Sequence, residues 1–114
     1  MQKICPKCWK REKYCECENR SSIELDYNMV TIIKTLNLKG FRTEFCCGGH
    51  PDKQFTEIYI QFKEQYQFNS LPKDFIYKPN KKILTYQEVA TTKPERQQLI
   101  KSHIKILKDW VNLL

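Results

Sequence analysis

A chain of 114 residues with 40% apolar side chains, 12% aromatic side chains and a formal charge of +7 is long enough for one compact domain and too apolar to stay disordered. No apolar run approaches the ~18 residues of a membrane-spanning helix, and the start, MQKICPKCWKR, lacks an apolar signal-peptide core. The expectation is a single cytoplasmic domain over residues 1–114, without membrane contact, whose positive charge favours acidic partners.

Residues 1–20 carry two cysteine pairs, the CxxC of Cys5 and Cys8 and the CxC of Cys15 and Cys17. Without an export signal, metal binding or reduced thiols explain six cysteines better than disulfides do. A two-residue gap lets both sulphurs of a tight turn face one ion, and two such pairs supply the four soft donors of a structural zinc. The segment therefore reads as a zinc knuckle in which Cys5, Cys8, Cys15 and Cys17 hold Zn2+. Redox-active or disulfide-paired cysteines and an iron–sulphur cluster are the alternatives. Lys3, Lys7, Lys10, Arg11 and Lys13 surround the cysteines and are expected to favour thiolate. Ile4, Trp9 and Tyr14 are the side chains available to dock the knuckle onto the rest of the chain.

Residues 21–114 read as the body. Ser21-Ser22-Ile23-Glu24 matches the S-x-x-E capping box and predicts a helix over 21–38, with Ile23, Tyr27, Val30, Ile33 and Leu36 at helical spacing and Gly40 as its left-handed cap. Strands are predicted in FRTEFCC and in FTEIYIQF, where Ile58, Ile60 and Phe62 alternate with Tyr59 and Gln61. DFIYKP and KKILTYQEV follow as two short antiparallel strands separated by Pro79-Asn80-Lys81-Lys82. Thr92-Lys93-Pro94-Glu95 is a second capping box, with proline in the first turn, and opens a helix over 94–112. Leu99, Ile100, His103, Ile104, Leu107, Trp110, Val111 and Leu114 form its apolar side. Gln97, Lys101, Lys105, Lys108 and Asn112 lie opposite. The fold class is α+β: an N-terminal zinc knuckle, a helix, an antiparallel sheet of about four strands and a C-terminal amphipathic helix. That last apolar stripe suits a dimer as well as a monomer core.

The segment FRTEFCCGGHPD holds the second cluster of interest. Adjacent strand residues point to opposite faces, so one of Cys46 and Cys47 is expected in the core and the other facing out or toward the loop. Gly48 and Gly49 permit positive φ and a close approach. Four readings compete: a buried thiol beside a tight turn with an exposed His50; a phosphate-binding loop using the Gly-Gly amides with Cys47 and His50 alongside; a second metal site; and a cysteine nucleophile with His50 as base. The metal reading needs a partner outside the loop, and His103, the other histidine, sits on an apolar stripe.

Gly40, Phe41, Thr43, Cys46, Cys47, Gly48, Gly49 and His50, followed by Tyr59, Ile60 and Phe62, resemble the "G-[YF]-x-T-x-x-[SC]-C-[SG]-G-H" and "YI-x-F" segments of small cysteine-rich bacterial and phage proteins, over roughly residues 4–62. More distantly, the order of helix and motif is similar to the tRNA wybutosine-pathway methyltransferase family. There "SSCSGR" stands where this chain has cysteines and His50, and a downstream Gly-Gly-Lys-Trp element is expected that this chain lacks. The first resemblance implies a phage or mobile-element protein, and the second a related fold.

Three function classes follow. One is a module binding nucleic acid or a nucleotide phosphate, with Trp9, Tyr14, Tyr59 and Tyr66 as candidates for base stacking. Another is a protein that inhibits a host defence nuclease, in the manner of anti-CRISPR proteins, with Lys101, Lys105 and Lys108 as its basic contact face. The third is a methyltransferase-like or thiol-dependent enzyme. Paired carboxylates, HExxH and the phosphate-binding G-x-x-x-x-G-K-[ST] are all missing, so the residues favour a binding role over catalysis.

Overall fold

The computed structural model describes residues 2–18 and 22–114. Strand β1 (Gln2–Ile4) and strand β2 (Ile23–Leu25) form a two-stranded antiparallel sheet that brackets the cysteine-rich segment. Helix α1 (Val30–Leu38) follows a 3-10 turn over Tyr27–Met29. Strands β3 (Thr43–Cys47), β4 (Phe55–Phe62), β5 (Ile76–Lys78) and β6 (Ile83–Val89) make an antiparallel sheet in the order β3-β4-β6-β5, and helix α2 (Lys93–Leu113) closes the chain. The α+β class and the four central strands are as expected.

The first helix is not. Its expected cap, Ser21, lies outside the described residues, and the following residues pair instead of coiling. Lys3 faces Glu24 and Ile4 faces Ile23 across an antiparallel ladder. Ile23-Glu24-Leu25 alternates as well as it coils, and pairing with β1 satisfies its backbone while burying Leu25. Tyr27, placed on the helix's apolar face by spacing, is 75% exposed. The other end of the helix meets expectation. Gly40 adopts φ +92°, its N–H donates to Asn37 O, and the Phe41 N–H donates to Leu36 O, the paired bonds of a Schellman cap.

One face of the larger sheet carries Ile58, Ile60, Phe62, Leu84 and Tyr86, and both helices pack on it through Ile32, Ile33, Leu36, Ile104, Leu107, Trp110 and Val111. Full burial of such a side chain contributes about 1.5–3 kcal/mol. Ile4 and Leu25 join the same cluster, so the two-stranded sheet is anchored to the body. Most of the apolar stripe of α2 packs into this chain's own core, while Leu99 stays half-buried outside it. Thr92 Oγ1 accepts from the Glu95 N–H, as its capping box requires. The Lys39 ammonium donates to the carbonyls of Val111, Asn112 and Leu114 and closes the far end of α2.

Candidate metal centre and neighbouring groove

The sulphurs of Cys5, Cys8, Cys15 and Cys17 all lie within 4.8 Å of one another. Those of Cys5 and Cys17 are 3.9 Å apart, close to the ~3.8 Å edge of a tetrahedron with ~2.3 Å metal–sulphur bonds. The CxxC turn is built for this. Trp9 takes φ +62°, its N–H donates to Cys5 O, and the Cys5 N–H donates to Lys10 O. The chain thus reverses around the sulphurs. The Lys7 N–H points at Cys5 Sγ and the Cys17 N–H at Cys15 Sγ, each at 3.4 Å. The donor set and its spacing fit a metal ion with four thiolates and leave no protein-free corner.

The source of thiolate character differs from the expectation. The amides of Cys8 and then Lys7 lower the Cys5 thiol to about 6, whereas the surrounding lysines stay out on the surface. Cys17, hydrogen-bonded to Cys15 and then penalised by burial, is pushed up to about 12. Ile4 and Trp9 pack on the core, but Tyr14 is 60% exposed, under the Lys13 ammonium.

The second cluster resolves as the strand geometry demands. Cys46 faces Ile60 and packs on the core, and Cys47 faces Tyr59 on the other side of the sheet. Burial, followed by Asp26 and Cys47, pushes the Cys46 thiol up to about 12. Gly49 has φ +91°, but Gly48 does not need positive φ. Gly48 is small because Asn28 occupies the space of a Cβ and donates from Nδ2 to Gly48 O at 2.9 Å. The amides invoked by a phosphate-binding loop are already engaged within the chain. The Gly48 N–H donates to Asp26 Oδ2 at 2.7 Å, and the Gly49 amide hydrogen-bonds Cys47, offsetting part of the burial that raises this thiol. His50 is exposed.

Asp26 is the functional candidate that the sequence reading missed. The expected helix over 21–38 puts it in a helix interior; it stands instead where β2 ends, with its carboxylate within 4.8 Å of the Cys47 and His50 donor atoms. His103 is not part of that cluster. Buried to 6% exposure, it stacks on Tyr86 and sets its ring nitrogens against Leu99 O at 2.8 Å and Asp74 Oδ2 at 2.9 Å. Tyr66, a stacking candidate, is built into an aromatic cluster with Phe41, Phe62 and Phe68.

Lys101, Lys105 and Lys108 line one groove of about 730 Å³ together with Asn28, Gly49 and Pro51. Ile100 and Ile104 form its apolar part. Lys105 is paired with Asp109 at 3.0 Å. Arg96 was missed by the sequence reading as well. It is 8% exposed and donates from Nε to Pro51 O at 2.6 Å and from Nη1 to Ala90 O at 2.9 Å, fixing the Gly-Gly loop against α2.

Among the described residues, no helix is long and apolar enough to cross a membrane. No curated protein and no solved structure gives a significant match, and nothing in the comparisons supports the methyltransferase link. A family model described as YoqC prophage protein matches residues 17–112. That range takes in Cys17, Asp26, the CCGGH segment and the groove, while Cys5, Cys8 and Cys15 precede it. With most of its length matched, the chain belongs to the YoqC prophage protein family.

Proposed function

We propose that this is a zinc-bearing phage protein that binds nucleic acid in the host cytoplasm, along the groove between the Gly-Gly turn and the basic side of α2. The observation that supports this reading is the convergence of Lys101, Lys105 and Lys108 with Gly49 and Pro51 on one groove, in a chain of net charge +7. Lys101 and Lys108 have no ion-pair partner among the described residues, so both are available to phosphate oxygens. Zinc is the metal proposed for the knuckle because four thiolates in a closed tetrahedron suit it, and such a site holds structure instead of reacting.

A second reading, a protein inhibitor of a host defence nuclease, draws on Ile100 and Ile104 in the same groove, which suit an apolar protein segment. Anisotropy of a labelled oligonucleotide, measured across salt concentrations, separates the two. For nucleic acid, affinity falls steeply with salt, and Lys101→Glu with Lys108→Glu weakens binding and lowers the salt slope by about 2. No binding at low ionic strength, or binding that the double variant leaves intact, overturns this reading. Recovery of a defence nuclease by the wild type and not by the variant selects the second.

A further inference from the structure

We infer that Asp26, Cys47 and His50 form a second metal centre, an open three-donor site for a divalent late transition metal such as Zn2+ or Co2+. The donors come from three places in the chain: the exit of β2, the last residue of β3 and the loop beyond the glycines. Their ligand atoms nevertheless lie within 4.8 Å of one another, close enough for one ion to span. The fold holds this arrangement in place. The Gly48 N–H orients the Asp26 carboxylate at 2.7 Å, and Asn28 Nδ2 holds Gly48 O at 2.9 Å. Contacts of this kind aim metal ligands. Gly48 has no room for a Cβ beside Asn28, nor Gly49 beside Ile100, so the loop that delivers His50 is packed into its path.

The donor chemistry selects the metal class. One oxygen, one sulphur and one imidazole nitrogen suit borderline transition metals, whereas calcium and magnesium take oxygen shells. Strand alternation sends Cys46 to the core, which leaves Cys47 as the sulphur available here. Three protein donors leave a coordination position for water or an anionic oxygen, in contrast to the closed four-cysteine knuckle. The half-buried Asp26 and Cys47 and the exposed His50 put the cluster within reach of solvent. The three donor residues lie outside the lining of the groove, although Asn28 and Gly49 border both.

The test is a count of metal per chain. The full-length wild type, Cys47→Ser and His50→Ala are each incubated with excess Zn2+, freed of loosely held ion by gel filtration, and measured by native mass spectrometry and elemental analysis. Each substitution is expected to lower the count by about one while far-ultraviolet circular dichroism is unchanged. His50 is exposed, so its replacement spares the fold and decides the matter if Cys47→Ser does not fold. With Co2+, the difference spectrum between wild type and His50→Ala is expected to show ligand-field bands of a site with a single thiolate. An equal metal count in wild type and His50→Ala overturns the proposal.

Discussion

Gly49 rests against Ile100 so closely that a Cβ built on it would stand 2.8 Å from Cγ1 of that side chain. This contact joins the CCGGH loop to α2, and Gly49 meets it with φ +91°, a conformation that an L side chain adopts only at a cost. Gly49→Ala combines backbone strain with overpacking and is expected to lower stability by about 2–3 kcal/mol in urea denaturation. Truncating Ile100 as well removes the clash but not the strain, so the double variant Gly49→Ala/Ile100→Ala is expected to fall short of the summed single losses. Additive losses would mean that the two residues do not press on each other.

Arg96 fastens the same loop from another side. Its buried guanidinium serves the carbonyls of Pro51 and Ala90, and methionine would fill the volume while leaving both carbonyls without their charged donor. Arg96→Met is expected to cost about 2–3 kcal/mol, and Arg96→Lys to recover only part of it, because an ammonium lacks the planar fork. Amide hydrogen exchange across residues 49–53 should rise in step with the loss. Stability within ~0.5 kcal/mol of wild type would show that the loop holds itself, since ordinary surface changes fall in that range.

What could be read from the sequence was what local spacing encodes. The CxxC and CxC pairs, the Thr92 capping box, the period-2 run of Ile58, Ile60 and Phe62 and the two faces of α2 each contain their own signal within a few residues. The failures were contacts between distant segments. Ser21-Ser22-Ile23-Glu24 matches the S-x-x-E capping box in sequence, but β1, some twenty residues earlier in the chain, offers Ile23 and Glu24 a ladder, and pairing wins over propensity. Asp26 looked like one acidic residue among many, because its meeting with Cys47 and Gly48 depends on where β2 ends and β3 returns. Arg96 carries no local signal of its role, because the Pro51 carbonyl it serves is 45 residues away. No spacing rule spans such distances.

Tyr86 offers a test in alkali. Burial, followed by the hydrogen bond from its hydroxyl to Glu88, raises this phenol above its ordinary value. A group whose folded pKa exceeds its unfolded one favours the folded state fully below the unfolded value, here ~10, and loses that contribution as pH rises toward the folded value. Tyrosinate absorbance is expected to show a late step that coincides with loss of the fold, and Tyr86→Phe should diminish it, leaving the contribution of Tyr59, which burial also raises. A wild-type titration complete in one step near the free tyrosine range would refute the assignment.

Metal removal should act on one end of the molecule. The knuckle between β1 and β2 has few apolar anchors, chiefly Ile4 and Trp9, whereas the sheet and both helices share a core that the four cysteines do not touch. Metal binding to such a segment is coupled to its folding. Lys7, Lys10, Arg11 and Lys13 are exposed tryptic sites within it, and Lys3 is another in β1. Brief trypsin digestion of the metal-loaded protein is expected to spare these positions. A strong chelator, or Cys15→Ser, should expose them at least tenfold faster while the fragment carrying α1, the four-stranded sheet and α2 persists. Cleavage of the knuckle at equal rates with and without metal would mean that the four sulphurs gather without an ion to organise them. Collapse of the whole chain on chelation would mean that the body leans on the knuckle through Ile4 and Leu25 far more than their two places in the core suggest.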